Sequence, residues 1–205
     1  DRESYVPPVG LGEVMRAASI AQDVESNNPD FKAGDIIQGT FGWQDFAISN
    51  GKGIMNATHV PTNFPITASL SVFGITVLTA FFGLLDIGKP KEGDTVLISG
   101  AAGATGSIVG QIAKLKGCRV IGTAGGAKKC RWLTEKANFD VAIDYKTADL
   151  DSTLQELCPE GINVIFDNVG GEILSACLDN LAQNSRIVLC GSISEYISVE
   201  PYGLT

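Results

Sequence analysis

The chain has 205 residues, with 23 acidic against 15 basic side chains and a net charge of −8. That length supports one or two domains around a real hydrophobic core, and the acidic balance argues against nucleic-acid and anionic-membrane partners. Five scattered cysteines (118, 130, 158, 177 and 190) form no C-x-x-C pair, and the one histidine, His59, has no Cys or Glu cluster beside it. This usage predicts reduced thiols, a cytoplasmic setting and no metal site.

In chain order, the segment before Pro61 has the texture of short strands and turns. Residues 24–35 are rich in turn formers, and residues 36–39 and 43–48 read as strands. An antiparallel, partly barrel-like module is expected over residues 1–65. Residues 66–85 predict a helix, interrupted at Gly74, that leads as a buried interdomain helix pair into a second domain over 66–205. Its apolar run, residues 68–82, contains Ser and Thr and is shorter than a membrane span needs. No membrane partner, signal peptide or stop-transfer segment is expected.

The most informative stretch is residues 94–110, which read as a buried strand, a glycine turn and a helix start. A diphosphate suits such a helix start, because unpaired N–H groups point outward there and the helix dipole favours negative charge. Gly103 would let the backbone approach a pyrophosphate, and Gly106 would let the helix pack close to the strand. The spacing is Gly100-x-x-Gly103-x-x-Gly106 rather than G-x-G-x-x-G, so a plain strand-to-helix turn is the alternative. A helix over 104–116 presents Ile108, Ile112 and Leu115 to the sheet, Gly117 caps it, and residues 118–123 return as a strand. Together these make one βαβ unit of about thirty residues.

The end of that second strand speaks to the cofactor. An NAD site would place Asp or Glu there for the ribose 2′-OH. This chain instead has Gly125 and Gly126, which leave room, followed by Lys128, Lys129 and Arg131. A solvated helix start is the alternative reading, but cations at a helix N-terminus oppose the dipole, and a bound 2′-phosphate of NADP accounts for them better.

The alternation continues with helices over 129–137, 150–157 and 172–181 and strands over 141–145, 163–167 and 186–191. Five apolar runs between amphipathic helices imply a mostly parallel sheet covered on both faces, with ligands gathered at the carboxyl ends of its strands. Tyr145, Asn168 and residues 192–196 fall at those ends. Tyr145 could equally cap the core, and Asn168 could equally hold a turn.

These motifs resemble the zinc-free branch of the medium-chain dehydrogenase/reductase superfamily, within it the prostaglandin reductases, 2-alkenal reductases and curcumin reductase-like enzymes. The resemblance rests on Gly42-Trp43-Gln44-Asp45, Leu78-Thr79-Ala80, Gly83-Leu84, the segment 101–107, Gly110-Gln111-Ile112-Ala113-Lys114-Leu115-Lys116-Gly117, the segment 166–171 and the segment 190–196. It implies an incomplete Rossmann doubly wound parallel sheet, α/β in class, preceded by a partial GroES-like β domain, with NADPH in the cleft between them. It implies that Gly103, Ala104, Thr105 and Gly106 hold the pyrophosphate. Gly126 and Lys129 would meet the 2′-phosphate, and Tyr145 would lie at the adenosine end. Asn168, Cys190, Gly191, Ser192, Ile193 and Ser194 would line the route to the nicotinamide. Tyr196 matches the family's active-site tyrosine. The implied reaction moves hydride to the β-carbon of an α,β-unsaturated carbonyl substrate, and a hydroxyl donor stabilises the enolate oxygen.

Where Val77, Phe81 and Ile197 stand, family members commonly have Gly, Tyr and Asn. Relatives are also considerably longer, many of them homodimers. The reading therefore expects a marginally stable fragment with an exposed sheet edge and weak or no turnover. A quinone reductase of the same superfamily and a catalytically inert nucleotide-binding fragment are the alternatives.

Overall fold

A computed structural model describes residues 6–196, and the chain divides into two units, Asp1–Ile75 and Thr76–Thr205. Ile197 lies outside the described residues. In the first unit, β1 (Ser19–Gln22), β2 (Ile36–Gly39) and β3 (Thr58–His59) form an antiparallel sheet in that order. Its register pairs Ser19 with Gly39 and Ile37 with His59.

The strand expected over 43–48 does not form. Gly42 turns the chain at φ 80°, and the run leaves the ladder after two bonds, from the Gly42 N–H to Ala17 and from the Trp43 N–H to Met15. Without a neighbour among the described residues to continue the ladder, Trp43, Phe46 and Ile48 remain exposed. His59 sits beside Phe31, with Nε2 3.0 Å from the Asp30 carbonyl and Nδ1 3.8 Å from Asp35.

In place of one helix over 66–85, the chain makes a 3₁₀ turn (Ile66–Leu70), a break, α1 (Ile75–Phe82) and a π-helical turn (Gly83–Gly88). The break falls at Gly74, where a Cβ would lie 2.8 Å from the backbone of Leu70. Ala80, Leu84 and Gly88 are buried, but Leu78, Phe81 and Phe82 are about half exposed. The expected buried helix pair is therefore not what forms among the described residues.

The second unit confirms the parallel sheet. Its strands are β4 (Thr95–Ile98), β5 (Arg119–Ala124), β6 (Val141–Asp144), β7 (Ile162–Asp167) and β8 (Leu181–Leu189). All are parallel, in the order β6-β5-β4-β7-β8. Helices α2 (Ala104–Leu115), α3 (Ala127–Glu135), α4 (Leu150–Leu157) and α5 (Gly171–Leu178) fill the crossovers. Successive strand residues go to opposite faces. Val96, Ile98, Val120, Val164, Phe166 and Val188 join α2, α3, Ala80 and Leu84 in one core. Leu97, Ile121, Ile143 and Ile165 join α4 and α5 in the other. This is a doubly wound α/β sheet, and its strand order reverses between β4 and β7.

Two details differ from the sequence pattern. On α2 the buried face is Gly106, Val109, Gly110 and Ala113, while Leu115 is 87% exposed. The reason is close approach: a Cβ on Gly110 would lie 2.0 Å from the Phe139 ring, so the helix meets the sheet through its small residues. β8 begins five residues earlier than the apolar run suggested, because Leu181 pairs with Ile162 before a register shift brings Arg186 to Val164.

Candidate functional site

At the end of β4 the chain makes a tight turn before α2. Gly100 is left-handed at φ 58°, and its carbonyl accepts the Gly103 N–H at 2.9 Å. Gly103 is the N-cap, with no side-chain cap hydrogen bond. The N–H groups of Ala104, Thr105 and Gly106 precede the first intrahelical bond and find no acceptor among the described residues. Gly106 lets the helix start this close, since a Cβ there would sit 2.7 Å from the Gly100 carbonyl oxygen and 2.9 Å from Ala101 Cα. The result is an open cradle of donors backed by a helix dipole, suited to an anion.

From that turn a run of contacts crosses the carboxyl edge of the sheet. Toward β5, the Ala101 N–H donates to the Thr123 carbonyl at 3.0 Å. Gly126, at φ 99°, caps α3 and donates its N–H to Asp144 Oδ1 at 2.8 Å. Lys128, Lys129 and Arg131 are exposed on α3, with no acid in its first turn. Tyr145 follows β6 and leans its hydroxyl toward Gly125.

Toward β7, Ser99 and Asp167 are both 1% exposed, and the Ser99 hydroxyl donates to Asp167 Oδ1 at 2.5 Å. Asn168 donates its backbone N–H to Ser99 Oγ and its amide to the Ser99 carbonyl, each at 2.8 Å. The Asp167 carboxylate also accepts the N–H groups of Val169 and Gly170 at 3.2 and 2.9 Å. Its carbonyl accepts those of Cys190 and Gly191 at 2.8 and 3.2 Å.

The segment after β8 is thereby fastened to the one after β7. Ile193 donates to the Asn168 carbonyl, and Ser194 donates to Val169 through both its N–H and its hydroxyl. Ser192 donates its N–H to the Tyr196 hydroxyl at 3.4 Å, which folds that exposed side chain over Gly191. The phenol's own proton has no acceptor among the described residues. Cys190 is exposed beside an apolar groove of about 430 Å³ lined in part by Leu78, Phe82, Ile87, Val188 and Leu189. Partial burial against that groove and the nearby Asp167 charge push its thiol pKa up, so it is a poor nucleophile at neutral pH.

The candidate cofactor and active-site residues, 103–106, 126, 129, 145, 168, 190–194 and 196, thus follow the carboxyl ends of this sheet's strands. Three that the sequence did not single out join them: Ser99, Asp167 and Lys146. A strand that ends in Ser or Asp signals nothing by itself, and a single lysine after a strand reads as ordinary surface. Among the described residues, no group of three or more His, Cys, Asp or Glu side chains comes together as a metal site, and no helix is long and apolar enough to cross a membrane.

The chain is similar in sequence and fold to known proteins. A family described as "Zinc-binding dehydrogenase" matches residues 104–205, and one described as "N-terminal domain of oxidoreductase" matches residues 1–57. The chain is 46% identical over 200 residues to the NADPH-dependent curcumin reductase of Escherichia coli, covering 98% of this chain and 57% of that protein. It is 46% identical over 192 residues to prostaglandin reductase 1 of Bos taurus, covering 93% and 58%. The crystal structure of CurA from Vibrio vulnificus in complex with NADPH superposes with a TM-score of 0.90 at 44% identity, covering 98% of this chain and 59% of that one. The chain therefore spans less than two thirds of the length of these relatives.

Proposed function

The chain belongs to the medium-chain dehydrogenase/reductase superfamily, and from that premise we propose that it serves the NADPH-dependent reduction of conjugated carbon–carbon double bonds in enals and enones, without zinc. The observation that carries the proposal is the uncapped first turn of α2, pressed against Gly100 and Ala101 where a Cβ has no room. That cradle fits a pyrophosphate, and the glycines and cations that follow β5 fit a 2′-phosphate. The relatives reported above, named as an NADPH-dependent reductase and as a protein solved with NADPH, support the same cofactor.

Each residue has a stated part. Gly103, Ala104, Thr105 and Gly106 offer backbone donors to the diphosphate, and Lys129 offers its ammonium to the 2′-phosphate with Gly126 leaving room. Tyr145 flanks the adenosine. Asn168 and residues 190–194, fastened together through Asp167, form the wall that orients the reacting end. When bound, NADPH supplies a hydride for the substrate's β-carbon. Tyr196 then donates its free hydroxyl proton as a hydrogen bond to the substrate oxygen as negative charge builds there. Its exposure and, among the described residues, its one long bond to Ser192 leave it able to turn toward a ligand. Hydrogen bonding takes the part of a Lewis acid, in keeping with a sequence whose one histidine has no Cys or Glu cluster beside it.

The test is NADPH consumption with a panel of enals, enones and quinones, in the chain and in Tyr196→Phe. Enals and enones should outpace quinones, and the variant should lose about tenfold or more of the rate. Preference for quinones would overturn the substrate class, and an unchanged variant would overturn the role of Tyr196.

A further inference from the structure

Gly125 leaves a notch where a side chain would begin, and the segment after β6 fills it. A Cβ on Gly125 would lie 2.9 Å from the Tyr145 hydroxyl and 3.0 Å from Lys146 Cε. Asp144 sets the lysine's backbone there, because its Oδ1 accepts the N–H of Lys146 at 3.2 Å and that of Gly126 at 2.8 Å. One carboxylate oxygen thus ties the segments after β5 and β6 together through two backbone donors. The ion pairs among the described residues are His59–Asp35 and Lys114–Asp140, so the Lys146 ammonium has no carboxylate within 4.0 Å there.

The cations of this corner therefore come from two elements. Lys129 stands in the first turn of α3, and Lys146 is held against Gly125, in a chain whose net charge is −8. A phosphate monoester carries about −1.5 to −2 charges at neutral pH, more than one ammonium balances. We infer that Lys146 is a specificity-determining residue for NADPH over NADH, a second cation for the 2′-phosphate whose position is set by its packing on Gly125. This rests on the cofactor reading proposed above.

Gly125 makes the inference sharper than a charge argument alone. Its φ lies outside the left-handed region, so alanine is allowed by the backbone. The atoms that alanine would meet are the far ends of flexible side chains. Gly125→Ala therefore keeps the fold and every charge but moves Tyr145 and Lys146 out of the notch.

The experiment is calorimetric titration of the chain with 2′,5′-ADP and with 5′-AMP, which lacks the 2′-phosphate. The proteins are the wild type, Lys146→Gln, Lys146→Arg, Gly125→Ala and Lys129→Gln, each checked for folding by circular dichroism. Lys146→Gln should weaken 2′,5′-ADP about tenfold and leave 5′-AMP unchanged, Lys146→Arg should retain most of the affinity, and Gly125→Ala, which displaces Tyr145 as well as Lys146, should weaken 2′,5′-ADP by more than it weakens 5′-AMP. If Lys146→Gln binds 2′,5′-ADP like the wild type while Lys129→Gln does not, the inference is overturned and the cofactor reading stands. If the wild type itself binds the two nucleotides alike, the cofactor reading falls and takes the inference with it.

Discussion

Gly106→Ala isolates the feature on which the functional reading depends. The new Cβ would meet three backbone atoms: the Gly100 oxygen at 2.7 Å, Ala101 Cα at 2.9 Å and the Ala101 oxygen at 3.2 Å. No rotamer relieves backbone contacts, so the start of α2 must withdraw by roughly 0.5–0.8 Å to recover ordinary separations. Helix propensity favours alanine by at most about 1 kcal/mol, and less in a first turn, whereas overpacking costs about 1–3 kcal/mol. Sterics win, and the variant should lose roughly 1–2 kcal/mol of stability. The donors of residues 104–106 retreat with the helix. Hydrogen bonds near 2.9 Å would stretch toward 3.5 Å, and losing one charge-assisted bond of about 1.5 kcal/mol raises Kd about tenfold. NADPH fluorescence titration and a thermal melt read both effects. Gly110→Ala is the control, since its Cβ would strike Phe139 in the core rather than the cradle. It should lower Tm at least as much yet leave Kd within about twofold at temperatures where the protein is folded. Wild-type affinity in Gly106→Ala, or equal losses of affinity in both variants, would refute the assignment of the cradle.

Two further outcomes follow from burial. Cys177 is 1% exposed, and burial, with the Asp167 charge second, pushes its pKa up from 9.0 to about 12. Its native state therefore keeps the proton that the unfolded chain releases above pH 9, so the associated stability is full at neutral pH and is lost as pH rises from about 9 toward 12, by roughly 2 kcal/mol at pH 10.5. Urea midpoints at pH 7.5 and 10.5 should separate by less in Cys177→Ala than in the wild type, and equal separations would contradict this. Leu115→Gln, on a residue the helical pattern assigns to the sheet-facing side but the structure leaves exposed, should change stability by less than about 0.5 kcal/mol. A loss of 2 kcal/mol or more would mean that Leu115 is covered in solution.

The parts of the fold legible in the sequence are those set by local period. The strands at 95–98, 119–124 and 162–167 carry apolar centres, residues 96–98, 120–121 and 164–166, because a parallel sheet is buried on both faces, and the glycine turn after β4 announces itself by composition. What failed depended on partners distant in sequence. The apolar alternation at 43–48 needed a neighbouring strand that the described residues of the first unit do not supply. On α2, Ile108 and Ile112 pack against the core as the helical period predicts, but Leu115 does not, because the closest approach runs through Gly106, Gly110 and Ala113, where Phe139 meets Gly110. The register shift in β8 depends on its pairing with β7 and leaves no mark in the apolar pattern.

Asp167 shows why a site can be legible residue by residue while its organisation is not. It ends an apolar strand, a position where a polar residue usually marks only the exit to solvent. Instead its carboxylate is buried and accepts three donors, one from the β4 turn and two from its own loop, while its carbonyl accepts two from the segment after β8. A carboxylate buried without such partners would cost several kcal/mol, so this one holds the three segments to one geometry. The strand order reverses between β4 and β7, and helices leave that reversal on opposite faces, which opens the edge there. An open edge needs a fastening that adds no bulk. The Ser99–Asp167–Asn168 bonds supply it, and Ala104 and Tyr196 stay exposed at the same edge.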